Sequence, residues 1–80
     1  MKTAYTLYPD WQEIWFVTDW NIGSFPAIEL IIEQIAGVKS VEKGYWKQYK
    51  YHLFVAVENN RNLEVVARLI VQKIEEFFVD

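Results

Sequence analysis

The sequence contains no cysteine, and this absence excludes several kinds of chemistry together. Without thiols the chain forms no disulfide, offers no thiolate to a metal and has no cysteine nucleophile. Its one histidine, His52, is not surrounded in sequence by the carboxylates that would complete a metal site. We therefore expect a protein that is not an enzyme, with no catalytic residue, no metal and no cofactor.

Glycine and proline are also scarce, with three and two residues in a chain of 80, while 52% of the side chains are hydrophobic. This composition argues against disorder and low complexity. No apolar run approaches the roughly 20 residues of a membrane-spanning helix. Asp10 and Glu13 interrupt the start of the chain, where a signal peptide has its apolar segment. We expect one soluble, cytoplasmic domain over residues 1–80.

Neither sign of charge dominates the sequence. Eight basic residues stand against eleven acidic ones, for a formal net charge of −3, which is not typical of a general nucleic-acid binder or a membrane-surface protein. Aromatic residues, in contrast, are abundant, with four Trp, five Tyr and five Phe. Because each buries about 150–250 Å², they compensate for the small core that a short chain can form.

The first half of the sequence predicts two strands and a helix. Residues 13–19 are rich in β-branched and aromatic side chains, which indicates a strand, and residues 4–8 are its candidate antiparallel partner. Over 25–36 the apolar residues recur at helical spacing. Ser24 is the candidate N-cap of this helix, and Gly37 is the candidate left-handed cap at its end. The predicted buried stripe consists of Ile28, Ile31, Ile32 and Ile35.

The second half predicts a hairpin and a second helix. Residues 38–58 have strand composition, with a turn near 47–50 and Lys43-Gly44 as a competing turn or a bulge. A loop of cap-forming residues precedes a helix over about 63–78. Its predicted buried stripe consists of Leu63, Val66, Ala67, Ile70, Ile74, Phe77 and Phe78.

The resulting order, (β)β-α-β-β-α, predicts an α+β two-layer sandwich with an antiparallel sheet and both helices on one face. The order resembles the first five elements of a ferredoxin-like plait, without the last strand and with an extra strand in front. Residues 35–42, IAGVKSVE, look like the helix-to-strand passage of heavy-metal-associated domains, but the loop that carries their paired cysteines reads DWNIGS here, at 19–24. The size, the order and the terminal helix with Glu75, Glu76 and Asp80 are also similar to those of small DNA-damage-inducible modulators of recombinase filaments. Element order alone does not transfer function.

The predicted hairpin carries the main candidate for a partner-binding surface. Residues 39–52 contain four of the eight basic side chains and one acid, Glu42, so this segment has a charge of +3. In proteins that bind single-stranded nucleic acid, lysines contact the phosphates, and aromatic rings interleaved with them stack on the bases. The same lysines would steer an acidic protein, or simply protect an edge strand from aggregation. The candidate residues are Lys43, Tyr45, Trp46, Lys47, Tyr49 and Lys50.

Two further candidates are weaker. The strand-to-helix loop 19–24 lies where helix N-terminal amides can hold an anion, but Asp19 would repel one, and Trp20 and Ile22 have the character of core side chains. Asp10, Glu13 and Asp19 could form paired carboxylates, yet no nucleophile or oxyanion feature accompanies them. For His52, a structural or solvent-exposed imidazole is favoured over a catalytic one.

The predicted sheet is apolar on both faces. Ile14 and Phe16 alternate with Trp15 and Val17, and two helices cover only one face, so the N-terminal segment and a second copy of the chain should cover the other. The sequence therefore predicts a non-enzymatic protein-interaction module (an adaptor, inhibitor or regulatory subunit) that forms a homodimer. The alternatives are a nucleic-acid-associated protein that uses the hairpin 43–52 and a small-ligand sensor at loop 19–24.

Overall fold

The computed structural model describes residues 3–18, 22–47 and 50–78, and their side chains except those of 22, 45–47, 50 and 51. The elements confirm the predicted order. They are β1 (Thr3–Tyr8), β2 (Glu13–Thr18), a single 3₁₀ turn (Ile22–Ser24), α1 (Phe25–Glu33), β3 (Val38–Lys47), β4 (Lys50–Val57) and α2 (Leu63–Phe77). Neither helix in this part of the chain is long and apolar enough to cross a bilayer.

The four strands form one antiparallel sheet in the order β1-β2-β4-β3. Because β4 lies between β2 and β3 and is antiparallel to both, β2 and β3 run parallel to each other, and α1 connects them. The N-terminal strand β1 occupies the edge beside β2. The predicted α+β fold with an antiparallel sheet and two helices is confirmed, whereas this strand order does not establish the ferredoxin-like plait.

One face of the sheet and both helices form the core. Ile14 and Phe16 of β2 are fully buried and pair across the sheet with Val55 and Leu53 of β4, so these side chains point to the same side. Residues of α1 and α2 pack on that side, which confirms the prediction that both helices cover one face. The core consists of Ile14, Phe16, Ile28, Ile32, Ile35, Val41, Leu53, Val55, Val57, Leu63, Val66, Ala67, Ile70 and Ile74.

The ends of α1 differ from the prediction. The helix ends at Glu33, three residues before the predicted end, because the chain passes into turns in which Ile35 donates a backbone hydrogen bond to Ile32 at 3.0 Å. Gly37 has the predicted left-handed backbone, with φ of +96°, but it lies in the turn before β3 and does not cap the helix. Ser24 occupies the N-cap position without a capping bond, because the preceding 3₁₀ turn holds its backbone in a helical conformation.

The second helix begins as a capped helix. Its N-cap is Asn62, whose Oδ1 accepts a hydrogen bond from the backbone N–H of Val65 at 3.1 Å. Five residues of the predicted stripe are buried: Leu63, Val66, Ala67, Ile70 and Ile74. The prediction is wrong for Phe77, which is exposed, because the helix ends there and Phe78 is the ring that packs against the core.

The hairpin turn lies where it was predicted, since Lys47 ends β3 and pairs with Lys50, the first residue of β4. Of the two alternatives for Lys43-Gly44, the bulge is confirmed, because the register shifts between Lys43 and Trp46, and the turn is wrong. A Cβ atom on Gly44 would lie 2.8 Å from Cζ of Phe54, so the ring of Phe54 occupies the space above this glycine.

Candidate functional site

The sheet face opposite the helices is the candidate binding face. Since Ile14 and Phe16 point into the core, their neighbours Glu13, Trp15 and Val17 point the other way, and cross-strand pairing extends this set over all four strands. We call this set the open face. Its described residues are Ala4, Thr6, Tyr8, Glu13, Trp15, Val17, Ser40, Glu42, His52, Phe54 and Ala56.

A line of aromatic rings crosses the open face. The ring centroids of Tyr8 and Trp15 are 4.5 Å apart, and those of Trp15 and Phe54 are 4.9 Å apart. Trp11, from the loop between β1 and β2, folds back and stacks on Tyr8 at 5.3 Å and 18°. We call Tyr8, Trp11, Trp15 and Phe54 the aromatic strip, which is continuous from that loop to β4.

The backbone of the β1–β2 loop fixes the position of Trp11. Its N–H donates to the carbonyl of Tyr8 at 3.1 Å. The next residue, Gln12, has a left-handed φ of 52° and accepts a hydrogen bond from the N–H of Val57 at 2.8 Å, while its side-chain amide donates to the carbonyl of Glu58 at 2.9 Å. The loop is thus anchored to the end of β4, and Trp11 is held in place although 62% of it is exposed.

The described side chains of the open face are acidic. Glu13 accepts a hydrogen bond from the indole N–H of Trp15 at 2.9 Å, and the exposed Glu42 lies opposite Phe54 in the register. The ion pairs among the described side chains involve other glutamates, so Glu13 and Glu42 have no cationic partner among these side chains. Those pairs are Arg61–Glu58, Arg68–Glu64 and Lys73–Glu76.

Within the described residues, a change of pKa is found in α2, at Arg68. Glu64 raises the pKa of Arg68 above its usual value, first by accepting a hydrogen bond from Nε at 2.9 Å and then by its charge. Glu64 also accepts a hydrogen bond from the hydroxyl of Tyr5 at 3.1 Å, which connects β1 with α2. This network holds the first strand against the second helix, and none of its three residues belongs to the open face.

Of the predicted hairpin candidates, only Lys43 has a described side chain. It pairs with Leu53, and its Nζ lies 5.5 Å from the ring centroid of Phe25 in α1, so Lys43 is on the helix side of the sheet, away from the aromatic strip. The backbones of Tyr45, Trp46, Lys47 and Lys50 belong to β3 and β4, but their side chains lie outside the described residues, as does all of Tyr49. The hairpin surface therefore stays a prediction.

The other sequence candidates are only partly described. Asp19 and Trp20 lie outside the described residues, so neither the ligand loop nor the carboxylate group is tested. Asp10 is exposed in the β1–β2 loop. In the described part of the chain, no three histidine, aspartate or glutamate side chains are grouped as a metal site. His52 shares the open face with Phe54 and Ala56, as its place in the strand predicted.

Sequence reasoning missed Trp11 and did not connect Tyr8 with the second face. Trp11 is preceded by Pro9-Asp10 and followed by Gln12, so it lies in a turn between two strands. A large apolar side chain in such a polar loop is the signal that could have identified it, because loops rarely provide burial for a ring. Its position over β1 follows only from the folded loop.

A second surface feature lies between the helices. A groove of about 440 Å³ is bordered by Ile31 and Ile35 of the α1 side and by Leu69 and Lys73 of α2. Leu30 of α1 is also exposed, with 60% of its surface accessible, but it does not line this groove.

The sequence matches no protein-family model, and no curated protein is significantly similar to it. Function is therefore inferred from the geometry of the open face and the helix groove.

Proposed function

We propose that the protein is a non-enzymatic interaction module that binds another protein through the open face of its sheet. The observation that carries the proposal is the aromatic strip, in which four rings are in contact on a face that carries neither helix, with Trp11 62% exposed. Aromatic residues are enriched in the cores of protein interfaces and supply most of the energetically dominant contacts. An adaptor, an inhibitor or a regulatory subunit would use such a face.

Nucleic-acid binding is the second candidate, and one observation favours it. A four-stranded antiparallel sheet that presents aromatic rings is the arrangement on which RNA-recognition domains stack bases. Backbone phosphates, however, require lysine or arginine nearby, and the charged side chains described on the open face are those of Glu13 and Glu42. The charge of these described side chains supports a protein partner.

We place the proposed homodimer at the outer surface of the helices. Two copies that met through the open face would bring the carboxylates of Glu13 and Glu42 together, whereas the groove beside Leu69 offers apolar surface without that repulsion. Sedimentation equilibrium at micromolar concentration should give the mass of two chains, and Leu69→Lys should give the mass of one. A single-chain mass for the unchanged protein would contradict the homodimer.

We also propose that the sheet is plait-like, with β1 in the place of the missing last strand. The support is that β4 lies between the parallel strands β2 and β3, which is the split β-α-β arrangement of ferredoxin-like folds. An experimental structure showing a left-handed connection through α1 would contradict it, because such crossovers are right-handed in nearly all proteins.

The test of the binding face compares three immobilised full-length baits in native extract: the unchanged protein, Trp11→Ala and Leu30→Ala. Leu30 is a matched control, because its exposed fraction, 60%, is close to the 62% of Trp11 and it lies on the helix side. A partner retained by the unchanged protein and by Leu30→Ala, but lost from Trp11→Ala, supports the open face. Equal recovery by all three baits contradicts it. Urea melts must first show that both variants stay folded.

The hairpin and the nucleic-acid alternatives are tested with the same material. Lys43→Glu, on the helix side of the sheet, should leave partner binding intact if the open face is the site. Loss of the partner in this variant, with full retention by Trp11→Ala, would assign binding to the hairpin. A labelled single-stranded oligothymidine should not bind at low salt, and saturable binding abolished by Trp11→Ala would favour nucleic acid over protein.

A further inference from the structure

The open face places an anion directly beside an aromatic ring. The hydrogen bond of 2.9 Å from the indole N–H of Trp15 to Oε1 of Glu13 holds that carboxylate at the edge of the ring. A cation lying on the aromatic strip would therefore meet both the negative face of a ring and a carboxylate. Hydrogen bonds between such charged groups are about twice as strong as neutral ones.

A second carboxylate lies beside the strip. In the register, Trp15 is opposite Phe54, and Phe54 is opposite Glu42, so one row across the sheet ends in an acid. Glu42 thus lies beside Phe54 in this row, and Glu13 lies two residues from Trp15 along β2 on the same face. No described side chain forms an ion pair with Glu13 or Glu42, so no described side chain neutralises either charge.

The spacing of the rings decides what shape of cation fits. Neighbouring centroids are 4.5 to 5.9 Å apart, and Trp11 and Trp15 are tilted by only 28°. A group inserted between two rings would need about 7 Å, twice the contact distance of about 3.5 Å. The strip therefore provides no slot or cage, and a ligand must lie flat on its outer surface.

From this arrangement we infer that the open face recognises an arginine-bearing segment of its partner, an inference that rests on the proposed function. A guanidinium is planar, so it stacks flat on an indole, and its fork of N–H groups donates to a carboxylate in the same plane. A lysine ammonium is compact and strongly hydrated, so it gains less from a flat aromatic surface. Trp11 and Trp15 supply the stacking surface, and Glu13 and Glu42 supply the counter-charges.

The experiment uses three labelled peptides of alternating glycine with arginine, lysine or glutamate, titrated with the full-length protein by fluorescence polarisation. The arginine peptide should bind more tightly than the lysine peptide, and the glutamate peptide should not bind. The double change Glu13→Gln with Glu42→Gln should weaken binding of the arginine peptide by about tenfold, since it removes two charge-assisted contacts. Trp11→Ala should weaken it as well.

The matched control is Glu33→Gln together with Glu29→Gln, which removes two charges from α1 on the other side of the sheet. This variant should bind the arginine peptide as the unchanged protein does. Equal weakening by the two double variants would overturn the inference, because the attraction would then reflect net charge only. Equal affinity for the arginine and lysine peptides would overturn the stacking geometry.

Two further outcomes separate this inference from the proposed function. If Trp11→Ala loses the native partner but the arginine peptide does not bind, the open face is an interface and the inference about arginine is wrong. If the change of Glu13 and Glu42 to glutamine raises the mass of the assembly above that of the unchanged protein, the face is occupied by a further copy, which also overturns the inference. Loss of peptide and partner binding together in the glutamine variant supports it.

Discussion

Replacing Gly37 with alanine tests the turn that joins the helix layer to the sheet. The backbone of Gly37 has a φ of +96°, in the left-handed region that L residues rarely occupy. A left-handed conformation costs a residue with a side chain about 1–2 kcal/mol. In addition, the new Cβ would lie 2.6 Å from Cγ and 2.9 Å from Cδ of Arg61, so that side chain has to move.

The two contributions can be measured separately. Arg61 is partly exposed and its contact with Glu58, at 3.9 Å, is weak, so its side chain can move at little cost. We expect Gly37→Ala to lower the free energy of unfolding by about 2 kcal/mol in urea melts, most of it from the backbone. In an Arg61→Ala background the loss should shrink only slightly. Gly37→Asn should lose less than alanine, because asparagine tolerates the left-handed region.

Two results would refute this reasoning. If Gly37→Ala is as stable as the unchanged protein, the backbone at this position is not left-handed. If the loss disappears completely in the Arg61→Ala background, the cost is a side-chain collision and the conformation of the turn contributes nothing. Either result would also remove the explanation for a glycine between α1 and β3.

The remaining predictions concern the two helices. Ile32→Ala should lower the free energy of unfolding by about 2–5 kcal/mol, because Ile32 is 0% exposed in the core. Glu33→Ala, at an exposed position, should change it by less than about 0.5 kcal/mol. Equal effects of the two substitutions in urea melts would show that the buried face of α1 is assigned wrongly. Asn62→Ala should cost about 1 kcal/mol because the bond from the N–H of Val65 is lost, and Asn62→Ser should retain most of it. Equal stability of all three proteins at position 62 would show that the cap contributes nothing.

Much of the local structure could be predicted from the sequence. The spacing of Ile28 and Ile32 identified the buried side of α1, and the alternation of Ile14 with Trp15 separated the two faces of β2. Both patterns are local, since a helix repeats every 3.6 residues and a strand every two. The ends of the helices were less predictable, because Ile35 and Phe78 are apolar and pack against the core from just outside the helices.

The candidate site was predictable only in part. The sequence indicated that the sheet has a second apolar face, and the placement of His52 beside Phe54 on it is correct. It did not indicate that Trp11 covers this face, because that position depends on the left-handed Gln12 and its bond to Val57, a residue far away in the chain. It also grouped Lys43 with the aromatic residues of the hairpin, although the register turns this lysine toward α1.

By itself, then, the sequence determined the types and order of the main helices and strands and most residues of the core, because these follow from periodicities that each segment carries within itself. The tertiary structure decided the strand order β1-β2-β4-β3 and the bulge at Gly44. It also decided which aromatic rings meet and which carboxylates accompany them. These features depend on pairing between segments that are distant in the chain, and such pairing is set by the shared core and by loop anchoring.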